Sequence, residues 1–257
     1  MSLNPRLRDW QGQHVWLIGA GHGIGAALAR QLRAAGAMLA LSGRSEDALR
    51  AVAGDDAHCL VLPLDVTREQ DWQQACGQLL QRWPRIDLVV MLAGDYRAVR
   101  AWQLTPQLAR QMVEVNLLGV MYGTAAVMPT LLRQRHGSIA LVASVAGWGG
   151  MPNALVYGAT KAAVNHFAQS LFLDLRPHGI GVHVVNPGFV DTRLTAQNDF
   201  AMPALISPEQ AASAMLAGLA RGDFDIHFPR RFSLLLKLAS HLPYRLYFWL
   251  AHKVTGL

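Results

Sequence analysis

Seven short runs of the chain are apolar without regular polar alternation: HVWLIG (14–19), AMLALSG (37–43), HCLVLPL (58–64), IDLVVML (86–92), GSIALVAS (137–144), IGVHVVN (180–186) and FDIHF (224–228). A strand with one face in water alternates polar and apolar residues, and a strand covered on both faces does not. These runs therefore predict parallel strands sandwiched between helices. Between them the spacing predicts helices near 23–35, 45–53, 67–82, 105–134, 153–177 and 207–221. The alternation, with right-handed crossovers, gives a doubly wound, mostly parallel α/β sheet of seven strands with helices on both faces. Two helix starts carry a hydroxyl followed three positions on by an amide, Thr67 with Gln70 and Ser207 with Gln210, a spacing that satisfies free N–H groups reciprocally. Residues 1–228 read as one domain and 229–257 as a helical extension.

In that extension Arg230, Ser233, Lys237 and Ser240 recur at helical spacing, opposite Phe232, Leu235, Leu236 and Ala239. This predicts an amphipathic helix. Pro243 interrupts it, and a second helix with Tyr247, Phe248, Trp249 and Leu250 follows. Basic residues beside aromatics suit an anionic membrane surface, a subunit interface or a cover over an apolar pocket.

Composition narrows the class. At 257 residues, 52% hydrophobic and 16% charged, the chain supports a large core and excludes a disordered, tail-like protein. Cys59 and Cys76 lack metal-ligand spacing, so no metal is expected and both read as buried thiols of a reducing compartment. The first residues lack a secretory h-region, and no run of about 20 uncharged apolar residues is present. A cytoplasmic location is expected, peripheral to the inner face of a membrane if the extension binds lipid. The net charge of +6 is concentrated in residues 228–257, which hold five of the 23 basic residues and none of the 17 acidic ones. A nucleic-acid face would spread across the domain, so nucleic acid is not an expected partner.

The first strand runs into GAGHGIG, with Gly19, Gly21, Gly23 and Gly25 around His22 and Ile24. Glycines allow a tight turn and close approach to a diphosphate, while the following helix supplies free N–H groups and a positive dipole end. The second strand ends LSGRSED, placing Arg44 where a site selecting an unphosphorylated ribose would hold an acid. An arginine binds a 2'-phosphate and a carboxylate repels it. NADP is therefore favoured as cofactor, with NAD second, and His22 is a further candidate contact.

The stretch VYGATKAAV places Tyr157 and Lys161 on one helix face, since residues four apart are neighbours. With the glycine loop, LDVT (64–67), the Ala93–Gly94 pair, Asn116, Ser144 and NPGFVDT (186–192), the chain from about residue 12 to 228 resembles the short-chain dehydrogenase/reductase family. Members of that family are oxidoreductases on a Rossmann-type sheet with a nicotinamide cofactor. The resemblance implies that Tyr157 is general acid or base, Ser144 holds the substrate oxygen, and Asn116 holds a water joining the lysine to solvent. It also implies that Lys161 bonds the nicotinamide ribose; an ammonium one turn away should lower the phenol from its ordinary value near 10. Asp65 is assigned to the adenine edge, Val66 to its ring, and Pro187, Gly188, Val190 and Thr192 to the nicotinamide. Ala93 and Gly94, with Tyr157 beside Lys161, complete the cofactor set.

Two departures stand out. Ile18 and the Met91–Leu92 pair replace polar residues that the family places on adjacent strands, and joint replacement by apolar groups can be nearly neutral. Ile18 is expected to pack near Met91 or Leu92. Candidate pocket residues are Asp95, Tyr96, Trp148, Met151, Phe189, Phe200 and Met202, an apolar lining that suits a hydrophobic ketone or secondary alcohol. A homo-oligomer, dimer or tetramer, is expected. The alternative function is a dinucleotide-binding sensor or scaffold without turnover.

Overall fold

The computed structural model describes residues 2–198 and 202–255. Seven parallel strands form one sheet: β1 (His14–Ile18), β2 (Met38–Ser42), β3 (Cys59–Val61), β4 (Leu88–Met91), β5 (Ser138–Val142), β6 (Gly181–Pro187) and β7 (Asp225–Phe228). Their spatial order is β3-β2-β1-β4-β5-β6-β7. The chain winds outward in one direction from β1 and in the other from β4. Connections leaving these two neighbours diverge to opposite sides, opening a crevice at the strands' carboxyl ends.

Helices α1 (Gly23–Ala34), α2 (Glu46–Ala53) and α7 (Pro208–Arg221) cover one face, and α3 (Glu69–Arg82), α5 (Gly119–Gln134) and α6 (Leu155–Leu175) cover the other. Along β1, Trp16 and Ile18 join the second cluster, while Val15 and Leu17 join the first. All four are buried. That two-sided burial is why the strand runs show no alternation. Ile18 pairs with Met91 across β1 and β4 within the same apolar cluster. Both ends of the departed polar pair are thus packed together.

The capping expectation holds at one end only. Ser207 and Gln210 form the reciprocal box at α7. At α3 the cap position is Arg68 without a side-chain bond. The Thr67 hydroxyl instead donates to Asp65 Oδ1 at 2.8 Å, because that carboxylate, two residues back, is the stronger acceptor. Cys76 is buried, but Cys59 is only partly so, and both are free thiols.

Helix α4 (Pro106–Val113) runs into α5 through a π-helical turn, Glu114–Leu118. The continuous run Pro106–Gln134 contains an 18-residue window of mean hydropathy 1.5 and has the length to cross a bilayer. Val120, Val127 and Leu131 lie in the domain core, and they account for its apolar character.

The extension forms α8 (Arg230–Ala239) and α9 (Tyr244–Thr255). The amphipathic helix forms, and its polar stripe is the one turned toward the domain. Ser233 is fully buried, and Lys237 pairs with Asp225 of β7, while Leu234, Leu235 and Leu238 are exposed. The polar stripe faces inward because β7 offers it partners: His227 Nδ1 lies 2.7 Å from Ser233 Oγ. Phe232, on the flank of that stripe, packs at 5.8 Å on Phe189.

Candidate active site

The glycine loop between β1 and α1 is shaped by close backbone approach. Gly19 has φ +92°, and a Cβ there would lie 2.7 Å from Ala93 N at the end of β4. At Gly25 a Cβ would meet Gly19 O at 2.2 Å, so neither position accepts a side chain without backbone movement. Gly23, at φ +53°, faces the methyl group of Thr192. The segment after β6 therefore closes over the start of α1.

His22 caps α1 without a side-chain bond, and the first turn holds no acid. The helix thus presents free N–H groups and its positive end to the crevice, a donor set that fits the diphosphate of a dinucleotide. His22 Nε2 sits 2.9 Å from an Arg193 Nη. Partial burial and then the guanidinium lower its pKa, leaving it neutral and able to accept from Arg193. Arg44 is exposed just beyond β2.

Asp65 Oδ1 accepts from Thr67 N and Thr67 Oγ1, which fixes the turn after β3. Val66 is buried against Gly119, where a Cβ would come within 3.0 Å of its side chain. Ile24 is partly buried at the start of α1. Ala93 and Gly94 follow β4, and Pro187, Gly188 and Val190 follow or end β6. Gly188 N donates to Phe228 O at 2.7 Å, and Val190 bridges Ile206. All these candidates share the carboxyl edge of the sheet.

Helix α6 carries Tyr157, Thr160 and Lys161 toward β4 and β5. Lys161 is 3% exposed, and its Nζ donates to Val142 O at 2.9 Å. A Cβ at Gly94 would lie in ordinary contact, 3.4 Å from Asn116 Oδ1 and 3.8 Å from Lys161 Nζ, so these two side chains converge beside Gly94. Asn116 is fully buried within the π-helical turn. Its amide accepts from Asp95 N and donates to Asp95 O, both at 2.8 Å, and also donates to Thr160 Oγ1 at 3.3 Å. Thr160 Oγ1 in turn donates to Tyr157 O. Ser144 Oγ accepts from Ala146 N at 3.1 Å and donates to Pro187 O at 3.4 Å, and its side chain opposes the rise of the Tyr157 phenol.

The electrostatics correct one expectation. Tyr157 is pushed up to about 12, first by burial and then by Tyr96, with the Ser144 side chain opposing. Burial lowers Lys161 to about 8. The ammonium is bonded to Val142 O, and its Nζ lies 5.6 Å from the tyrosine ring centroid. Desolvation therefore outweighs the attraction expected from one-turn spacing. Tyr157 rests as a neutral phenol.

The expected pocket lining divides. The Tyr96 ring meets Tyr157 edge-on at 5.1 Å. The Asp95 carboxylate accepts from Gln111. Trp148 lies against His227 at 5.8 Å and beneath Lys237 at 5.4 Å. With Phe189 on Phe232, these two aromatics form the seat of α8. Met151 is partly buried before α6, and Met202 Sδ accepts from Asn198 at 3.3 Å. Phe200 lies outside the described residues.

Sequence reasoning missed a polar chain behind Lys161. Asn165 Nδ2 donates to Lys161 O at 3.0 Å and to Asn186 Oδ1 at 3.1 Å. Asn186 Nδ2 donates to Asp225 Oδ1 at 2.9 Å, and Asp225 pairs with Lys237. The helix bearing Tyr157 and Lys161 is thereby joined to the extension. Asn165 was legible as the i+4 neighbour of Lys161; the remaining links are far apart in sequence. Thr160 likewise lies three residues after Tyr157 in VYGATKAAV.

Residues 13–202 match the family described as short chain dehydrogenase. An uncharacterized oxidoreductase of Myxococcus xanthus is 33% identical over 231 residues, spanning 88% of this chain and 91% of the relative. One from Staphylococcus aureus strain MRSA252 is also 33% identical, spanning 80% and 90%. Among solved structures, a short chain dehydrogenase/reductase from Burkholderia phymatum in complex with NAD superposes with TM-score 0.82 at 23% identity, covering 91% of this chain and 94% of that one. A 3-ketoacyl-(acyl-carrier-protein) reductase from Brucella melitensis complexed with NADH gives 0.79 at 26%, covering 86% and 99%.

Proposed function

Given that the chain belongs to the short-chain dehydrogenase family of oxidoreductases, we propose that it moves hydride between NADP and a hydrophobic ketone or secondary alcohol, with Tyr157 as general acid or base. The observation that carries this is Tyr157 with its ring 5.6 Å from the Nζ of buried Lys161, and Ser144 just beyond the end of β5. When bound, the nicotinamide supplies or accepts the hydride. Gly19, Gly23, Gly25 and the α1 N-terminus cradle the diphosphate, and Asp65, Val66, Ala93 and Gly94 line the adenine side. Pro187, Gly188, Val190 and Thr192 enclose the nicotinamide end.

Ser144 donates to the substrate oxygen and holds it beside Tyr157. The raised phenol holds its proton at neutral pH and releases it to the developing alkoxide in reduction. Lys161 remains largely an ammonium below its value near 8, and attraction between that cation and a forming phenolate favours proton release. Asn116 keeps the Asp95 backbone in place and aligns Thr160 behind Tyr157. Exposed Arg44 after β2, with no acid in that turn, favours the 2'-phosphate. The exposed α6 stripe of Leu155, Ala159, Ala162, His166, Gln169 and Leu173 supports a homo-oligomer.

The test replaces Tyr157 by Phe. With NADPH and a panel of aliphatic, aromatic and steroid-like ketones, turnover should fall about 10²- to 10⁴-fold, the range of acid-base catalysis. Cofactor affinity, read by NADPH fluorescence, should stay within about twofold, since the glycine loop and Lys161 keep their contacts and Tyr157 loses only its hydroxyl. Undiminished turnover would sink the mechanism, and a parent chain that binds NADPH without reducing any ketone would favour the sensor reading.

A further inference from the structure

Helix α8 rests on the domain through its polar stripe and turns its apolar stripe to solvent. Leu235 is 68% exposed and Leu238 69%, with Leu234 beside them and Arg231 one turn earlier on the same face. Helix α9 also carries exposed Tyr244, Phe248, Trp249 and Val254, and Lys253 Nζ lies 5.2 Å from the Trp249 ring centroid. The inward polar residues are already used, Ser233 on His227 and Lys237 on Asp225. Something apolar must therefore cover the outward side if its exposure is to be relieved.

The charges identify the covering surface. Exposed Arg231, Arg245 and Lys253 lie on the same two helices as these leucines and aromatics, and residues 229–257 contain no acid to answer them. A second copy meeting this face about a twofold axis would set cation against cation. An anionic bilayer answers both features, since headgroups take the basic residues while Trp and Tyr occupy the interface and leucines enter the acyl boundary. We propose that the outer face of α8 and α9 docks this protein peripherally on an anionic lipid surface. The anchoring of α8 to β7 through Asp225, Asn186 and Asn165 holds that face rigidly to the domain.

The test is sedimentation of the full chain with phosphatidylcholine vesicles, with and without phosphatidylglycerol. The protein should partition to the anionic vesicles and weaken with salt. Arg231→Glu, Arg245→Glu and Lys253→Glu together should reduce partition by roughly a hundredfold or more, at about fivefold for each cation neutralised near such a surface. Leu235→Ser with Leu238→Ser should lower it while leaving the circular dichroism spectrum unchanged. Should either variant misfold, the parent chain suffices: brominated lipid should quench its tryptophan fluorescence, and Trp249→Phe should remove part of that quenching. Equal partition of parent and charge variants overturns the proposal. So does a face that ignores vesicles but holds a dimer which the two leucine substitutions dissociate. Neither readout depends on turnover, so failure here leaves the oxidoreductase reading standing, and the converse also holds.

Discussion

At the residue scale, Lys161 shows how burial and spacing compete. Its ammonium lies in a nearly sealed site, and burial lowers it from 10.5 to about 8. Below pH 8 both folded and unfolded chains bind the proton, and folding bears the cost of burying it. Between about 8 and 10.5 the unfolded chain holds a proton that the folded chain has shed, so this group's contribution to stability rises with pH. The parent should therefore gain on Lys161→Met by on the order of 1 to 3 kcal/mol between pH 7 and pH 10, read from urea unfolding of both proteins. A difference independent of pH would show that the lysine is not desolvated. Arg44 supplies a second residue-level prediction. Arg44→Ala should raise KM for NADPH roughly 10- to 100-fold, the worth of charge-assisted bonds, and leave KM for NADH nearly unchanged. Equal effects on both would remove Arg44 as a selector.

At the element scale, α8 shows that a helix's inward face is decided by what its neighbour offers. Asp225 accepts from Asn186 and pairs with Lys237. Asp225→Ala should strip both partners at once, destabilising the fold by about 1 to 3 kcal/mol and loosening α8. Trypsin should then cut at Arg230, Arg231 and Lys237 faster than in the parent, while cutting elsewhere is little changed. An unaltered cleavage rate would mean that the apolar contacts of Phe232 hold the helix without the ion pair. The π-helical turn at 114–118 makes a related point. It delivers Asn116 to the Asp95 backbone, and nothing in the periodicity of residues 105–134 announces it.

At the scale of the whole molecule, two exposed faces remain for assembly. The α6 stripe is flat, with Ala159 and Ala162 between Leu155 and Leu173, the last 72% exposed. Small residues let two helices approach closely, so light scattering should give the mass of a dimer or larger. Leu173→Glu should shift it toward monomer. A parent that is monomeric at every concentration would overturn this reading. The α8 and α9 face lies elsewhere and carries the charge suited to lipid.

The strand and helix positions and the doubly wound class were legible because two-sided burial writes continuous apolar runs into the sequence. So were the clustered glycines, since each marks a local backbone requirement. The loop's contact with Ala93 and the pairing of Ile18 with Met91 needed only strand order. Three features waited for tertiary structure: the raised phenol of Tyr157, the polar chain from Lys161 to Lys237, and the choice of which face of α8 turns inward. Each depends on desolvation or on partners distant in sequence, and local spacing records neither. Helical periodicity separates two faces of a helix; only the packed neighbour, here Asp225 and His227 on β7, determines which one turns inward.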